Sequence, residues 1–112
     1  MCGISGIYYF NQQQLVNPDQ LTVMRETMTH RGPDDCGLYA DGHVGMAHRR
    51  LSIIDLETGH QPMANEDNSI AIVFNGEIYN YRELKQQYLS GHQFRTKSDT
   101  EVIIHLYEEF GI

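Results

Sequence analysis

The stretch MCGISGIYYF, residues 1–10, runs into the polar segment Asn11 to Gln14. From Gly3 onward it is rich in β-branched and aromatic residues, the composition of a strand, and the polar run reads as the turn that ends it. The fold is therefore expected to begin inside a sheet, with Cys2 immediately ahead of the first strand.

Working outward, Asn17-Pro18 supplies an N-cap and a proline in the first helical turn. Leu21, Met24 and Met28 then share one helical face, which predicts a helix of about three turns ending near His30. Arg31-Gly32-Pro33-Asp34-Asp35 carries turn-forming residues. GLYAD and HVGMAH after it read as a hairpin about Asp41-Gly42. Residues 50–54 are expected to be extended or irregular, and the polar turn at 64–68 leads to the apolar run IAIVF (70–74), a candidate buried strand.

Asn75-Gly76 turns the chain. Asn80 with Glu83, and Ser98 with Glu101, have capping-box spacing. The first box predicts a helix with Leu84 and Tyr88 inward, stopped at Gly91. The second predicts a helix carrying Ile103, Leu106, Tyr107 and Phe110 on one face, with Asp99 in its first turn and a short strand at 93–96 before it. Short connections favour antiparallel pairing over βαβ crossovers, so the fold class expected from the residues is α+β, in one domain of 112 residues.

Composition narrows the function. Fifteen acidic residues against eight Lys plus Arg give a net charge of −7, which opposes the counterion release that drives nucleic-acid binding. No apolar run is long enough to span a bilayer and no secretory pattern precedes the first strand. A cytoplasmic protein with no nucleic-acid or membrane partner is the expectation, and Cys2 and Cys36 are expected as free thiols. The six histidines show neither HExxH nor Cys/His zinc spacing, so no metal site is expected.

Four features could carry chemistry. Cys2 follows Met1; removal of Met1 would leave a thiol and a free α-amine on one residue, nucleophile and base together, the amine titrating near 7.7–8.0. Taken alone, a cysteine at position 2 is usually an inert small hydrophobe. Attack on an amide develops charge on the carbonyl oxygen, and Asn75-Gly76 offers a side-chain NH₂ and a backbone N–H to meet it; the pair is also a common plain turn. An amino-acid substrate calls for a fixed cation and a fixed anion. Arg50 could pair bidentately with a carboxylate and Asp99 could take an ammonium, while a surface charge and a helix-dipole contact are their ordinary alternatives.

Together MCGISGI, HRGPDD, HRRLSIIDL, FNGEIYNY and KSDTEVI resemble the class II (type 2) glutamine amidotransferases, most closely the N-terminal glutaminase domain of glutamine-hydrolysing asparagine synthetase. The resemblance implies a four-layer αββα sandwich of the N-terminal-nucleophile hydrolase type, hydrolysing L-glutamine to glutamate and ammonia. It makes Cys2 the nucleophile and Asn75 with Gly76 the oxyanion hole. Arg50, rather than Arg49, holds the glutamine carboxylate because Leu-Ser follows it. Leu51, Ser52, Ile53, Ile54 and Glu77 line the pocket, and Asp99 binds the ammonium.

The glutaminase step implied needs no metal or organic cofactor; ATP and magnesium would serve an ATP-dependent synthetase domain, absent here, that makes asparagine from aspartate. The family's glutaminase domain is longer than this chain. Residues 1–112 are accordingly expected to be a truncated, partial domain, with self-association through unpaired sheet edges. Two alternatives remain at this stage: another class II amidotransferase or N-terminal-nucleophile amide hydrolase, and an inactive fragment acting as an interaction domain.

Overall fold

The computed structural model describes residues 1–52 and 59–112 as a small α+β domain with two antiparallel sheets. The larger sheet has the order β1-β3-β2, formed by β1 (Gly3–Tyr8), β2 (Asp35–Asp41) and the central β3 (Val44–Arg50). Its register runs from Gly3 opposite Arg49 to Tyr8 opposite Val44 on one side, and from Asp35 opposite Arg50 to Asp41 opposite Val44 on the other. Asp41 is still paired, so the hairpin turn is Gly42-His43, one residue later than the sequence suggested. Gly42 has φ +57°, and glycine at the first of two central positions is the requirement of a tight hairpin turn.

Side chains alternate across β3. Gly45, Ala47 and Arg49 face α1 (Pro18–Glu26), where Gly45 sits so close that a Cβ would meet Leu21 and come 2.7 Å from Val16. Leu21 and Ala47 are fully buried at 0% exposure, and removing a leucine side chain from water contributes roughly 1.5–3 kcal/mol. Asn17 caps α1 as expected, its Oδ1 accepting from Asp19 N at 2.9 Å. The helix stops at Glu26 rather than near His30. Thr27 and Thr29 hydroxyls donate to Met24 O and Glu26 O at 2.6 and 2.8 Å, local bonds that compete with helical continuation.

The smaller sheet pairs β4 (Met63–Ala64) with β5 (Ala71–Ile72). The apolar run at 70–74 is thus a strand over two residues only, and it is half-buried. Its ends donate to side chains instead of a ladder: Ile70 N to Asn65 Oδ1 at 3.0 Å and Phe74 N to Gln61 Oε1 at 2.6 Å.

The helix α2 (Tyr81–Tyr88) forms without the expected box, since Asn80 makes no side-chain cap. Leu84 is half-buried and Tyr88 is 46% exposed with its ring edge on Phe110; the inward residue is Leu89, past the helix end and before Gly91. In α3 (Asp99–Phe110), Ser98 caps Thr100 N at 3.2 Å, but the buried face is Thr100, Glu101, Val102, Ile104 and His105. Tyr107 and Phe110 are exposed.

Glu101 explains both the rotated face and the missing strand at 93–96. Its carboxylate turns away from Ser98 and accepts from Arg95 N, Thr96 N and the Thr96 hydroxyl, taking the donors that a strand would have used. One turn on, His105 Nε2 lies 3.4 Å from Glu101 Oε1. Burial pushes the Glu101 carboxyl up, yet the bonds from Thr96, Arg95 and His105 outweigh it and hold its pKa below the ordinary value.

A depressed carboxylate stabilises the fold above its unfolded pKa, about 4.3, and that contribution is lost as pH falls through the folded value. Glu101→Gln should therefore cost about 1–3 kcal/mol at pH 7 in urea unfolding, with the gap to wild type shrinking below about pH 4.

Candidate active site

A cleft of about 480 Å³ opens between the end of β3, the loop after β5 and the first turn of α3. Cys2, Arg50, Leu51, Asn75, Gly76, Glu77 and Asp99 all line it. The sequence drew these seven from four separate segments, and the fold gathers them.

Cys2 is positioned from both sides. Because Gly3 pairs with Arg49, the residue before the strand falls beside the residues after β3, and Leu51 N donates to Cys2 Sγ at 3.4 Å. On the other side, Arg31 Nε donates to Cys2 O at 3.2 Å. The turn containing Arg31 is itself locked: Arg49 Nε donates to Gly32 O at 2.8 Å, and Ser52 N donates to Asp34 Oδ2 at 2.8 Å.

Arg50 closes β3 and is only 9% exposed. Gly59 lies against its guanidinium, where a Cβ would come within 2.6 Å of Cζ, so the backbone there has to be glycine for the guanidinium to keep this place. Asp35, opposite Arg50 in the sheet, resists burial through bonds from His60 and Cys36 N and through the charges of His60 and Arg50, which together hold its pKa low. His48, two residues back on the same face, is 1% exposed. Burial, reinforced by the Arg50 charge and only partly opposed by the Phe74 backbone, pushes its pKa down, so the ring is neutral near pH 7.

The loop 74–78 is strapped to its surroundings at each end. Phe74 N donates to Gln61 Oε1 and Ile78 N donates to Asp99 Oδ2, at 2.6 and 2.8 Å. Between these ties Asn75, Gly76 and Glu77 are exposed to the cleft. A Cβ on Gly76 would approach the Phe74 ring to 2.7 Å, so the loop lies on its own aromatic neighbour.

Of the remaining sequence candidates, Ser52 spends its backbone N–H on Asp34 and does not line the cleft. Ile53 and Ile54 lie outside the described residues. Gly59, Gln61, Phe74 and Thr100 also line the cleft and were not singled out in the sequence. Among the described residues, His92, His105 and Glu108 bring metal-ligand atoms within 4.8 Å of one another. None lines the cleft, and carboxylates of Glu109, Glu108 and Glu101 already face their ring nitrogens.

Comparison with known proteins supplies the family. The model of the glutamine amidotransferase domain matches residues 1–112. The chain belongs to the glutamine amidotransferase domain family. It is 51% identical over 114 residues to asparagine synthetase [glutamine-hydrolyzing] 2 of Bacillus subtilis, and 45% identical over 112 residues to asparagine synthetase [glutamine-hydrolyzing] 1 of Arabidopsis thaliana; both alignments cover 100% of this chain. The maize asparagine synthetase is 44% identical over 99% of it. The chain spans 15% of the Bacillus relative's length and 19% of the two plant ones. Within this amidotransferase domain, no helix among the described residues is long and apolar enough to cross a membrane.

The tie between Asp99 and the loop is directly measurable. Asp99→Ala should speed hydrogen exchange at the Ile78 amide about tenfold or more, while Asp99→Asn, which keeps an acceptor oxygen, should preserve its protection.

Proposed function

We propose that the chain is the glutaminase portion of a glutamine-dependent asparagine synthetase, with Cys2 as nucleophile once Met1 has been removed. The observation that carries this reading is the single cleft in which the Cys2 thiol, the Asn75-Gly76 donors, the Arg50 cation and the Asp99 anion meet. Glutamine is a free amino acid with an amide at its far end, so it needs a cation and an anion for its α-groups and a nucleophile with oxyanion donors for its amide. The cleft offers each of these, with Arg50 and Asp99 as the cation and the anion of the proposal.

In the proposed reaction the α-amine of Cys2, neutral in part near pH 8, takes the thiol proton. The sulfur adds to the γ-carboxamide carbon, and the oxyanion is met by the Asn75 side-chain NH₂ and the Gly76 N–H. Collapse breaks the C–N bond as the α-ammonium returns its proton, releasing ammonia and a γ-glutamyl thioester. Water then attacks the thioester, giving glutamate and the free thiol. Arg50 holds the substrate carboxylate and Asp99 its ammonium, with Leu51 and Glu77 as walls; Ser52, Ile53 and Ile54 complete the segment beside Arg50.

The 44–51% identity to glutamine-hydrolysing asparagine synthetases supports asparagine synthesis as the destination of the ammonia. On this reading residues 1–112 are part of a larger amidotransferase domain, a four-layer sandwich to which the two antiparallel sheets contribute. A downstream synthetase domain would use ATP, magnesium and aspartate, in a cytoplasmic enzyme able to self-associate.

The test is labelling by a glutamine-analogue electrophile, read by intact mass on chain beginning at Cys2. Wild type should gain one adduct on Cys2, and Cys2→Ala none. Equal labelling of both would sink the assignment. Chain that retains Met1 should turn glutamine over at least about a hundredfold more slowly, because its Cys2 nitrogen is an amide and cannot relay the proton.

A further inference from the structure

Gln61 is buried, at 7% exposure, and amide side chains in that state have to satisfy both ends. Its Oε1 accepts from Phe74 N at 2.6 Å, immediately before Asn75-Gly76, and its Nε2 donates to the Thr100 hydroxyl at 3.4 Å, immediately after Asp99. One side chain therefore spans the two stretches that supply the amide end and the ammonium end of the proposed site. Thr100 is 2% exposed and its backbone N–H is held by Ser98, so its hydroxyl is a fixed anchor rather than a mobile one.

We propose that Gln61 is a positioning residue for glutamine hydrolysis, setting the Asn75-Gly76 donors against the first turn of α3. The inference rests on the glutaminase reading above. Among the described residues, two side chains tie the loop 74–78 to the α3 end of the cleft: Asp99 holds Ile78 directly, and Gln61 holds Phe74. Both flank the exposed Asn75, Gly76 and Glu77. Two ties at opposite ends of a short exposed loop fix its orientation, whereas one leaves it a hinge. Losing the Gln61 tie frees the Asn75 end while Asp99 and Arg50 remain, so the loss falls on transition-state stabilisation rather than on holding substrate.

Gln61→Met keeps length and loses both hydrogen bonds. It should lower kcat for glutamine by about 10–100-fold, below the loss from deleting an oxyanion donor outright, with KM changed by less than about threefold. Thr100→Val, which removes only the anchor's hydroxyl, should lower kcat by a smaller factor in the same sense, and Thr100→Ser should restore it. Exchange at the Phe74 amide should quicken in Gln61→Met and stay slow at Ile78.

A folded Gln61→Met or Thr100→Val with kcat within twofold of wild type overturns the inference, as does a rise in KM at unchanged kcat. If Gln61→Met fails to fold, Thr100→Val and Thr100→Ser decide alone. A wild-type chain beginning at Cys2 that is neither labelled at Cys2 nor active on glutamine overturns the glutaminase reading and this inference with it; labelled wild type with unaffected variants overturns the inference only.

Discussion

The antiparallel register of β1 on β3 is the constraint on which the rest of the site depends. Gly3 opposite Arg49 means that the residue before β1 meets the residue after β3, which puts Cys2 Sγ beside Leu51 N. A slip of one residue would turn every side chain of β1 to the other face, setting the residues that now face α1 against the other side of the sheet. The same register carries Arg50 into the cleft while Arg49, its neighbour, points the other way to Gly32 O and to Glu26 of α1. Two adjacent arginines thus have unrelated tasks because a strand alternates its faces.

That register is reinforced by the turn at 31–35 rather than by the ladder alone. Arg31 takes the Cys2 carbonyl, Gly32 gives its carbonyl to Arg49, Asp34 takes Ser52 N, and Asp35 faces His60. A Cβ on Gly32 would fall on the Arg49 peptide, meeting Arg50 N at 2.5 Å. The HRGPDD segment is therefore a clamp whose side chains and backbone reach Cys2, ahead of β1, and Arg49 and Ser52 at the C-terminal end of β3. Its components are mostly hydrogen bonds worth about 0.5–1.5 kcal/mol each, so position, more than stability, is what they supply.

Much of this was legible in the residues. The strand at Gly3, the proline-started helix, the hairpin and the two later helices follow from local composition; Cys2, Arg50, Asn75, Gly76 and Asp99 were candidates by their chemistry, and Leu51 and Glu77 only by the family resemblance. Two of the misses in α3 and the segment before it trace to one residue. Glu101 has the spacing of a capping-box residue, yet it bonds to Arg95 and Thr96, because a buried carboxylate takes whichever donors the surrounding chain presents. That choice removes the strand at 93–96 and brings the Glu101 and His105 face of α3 inward in place of Tyr107 and Phe110. Gly59 and Gln61 escaped notice because their significance lies in contacts with Arg50, Phe74 and Thr100, far away in sequence.

The electrostatics of the cleft follow from where its charges are held. Arg50 is buried at the end of a central strand in a chain of net charge −7, a placement that costs desolvation unless nearby groups compensate. Asp35, kept ionised opposite it, supplies negative charge, and His48, kept neutral by burial and by Arg50 itself, adds no competing positive one. Asp99 stands at the N-terminal turn of α3, where the helix dipole favours an anion, with one oxygen committed to Ile78 N. The two ends of the cleft are thus stabilised by different means, a carboxylate across the sheet for the cation and a helix terminus for the anion. On the glutaminase reading proposed above, these two charges would take the carboxylate and the ammonium of a zwitterionic substrate.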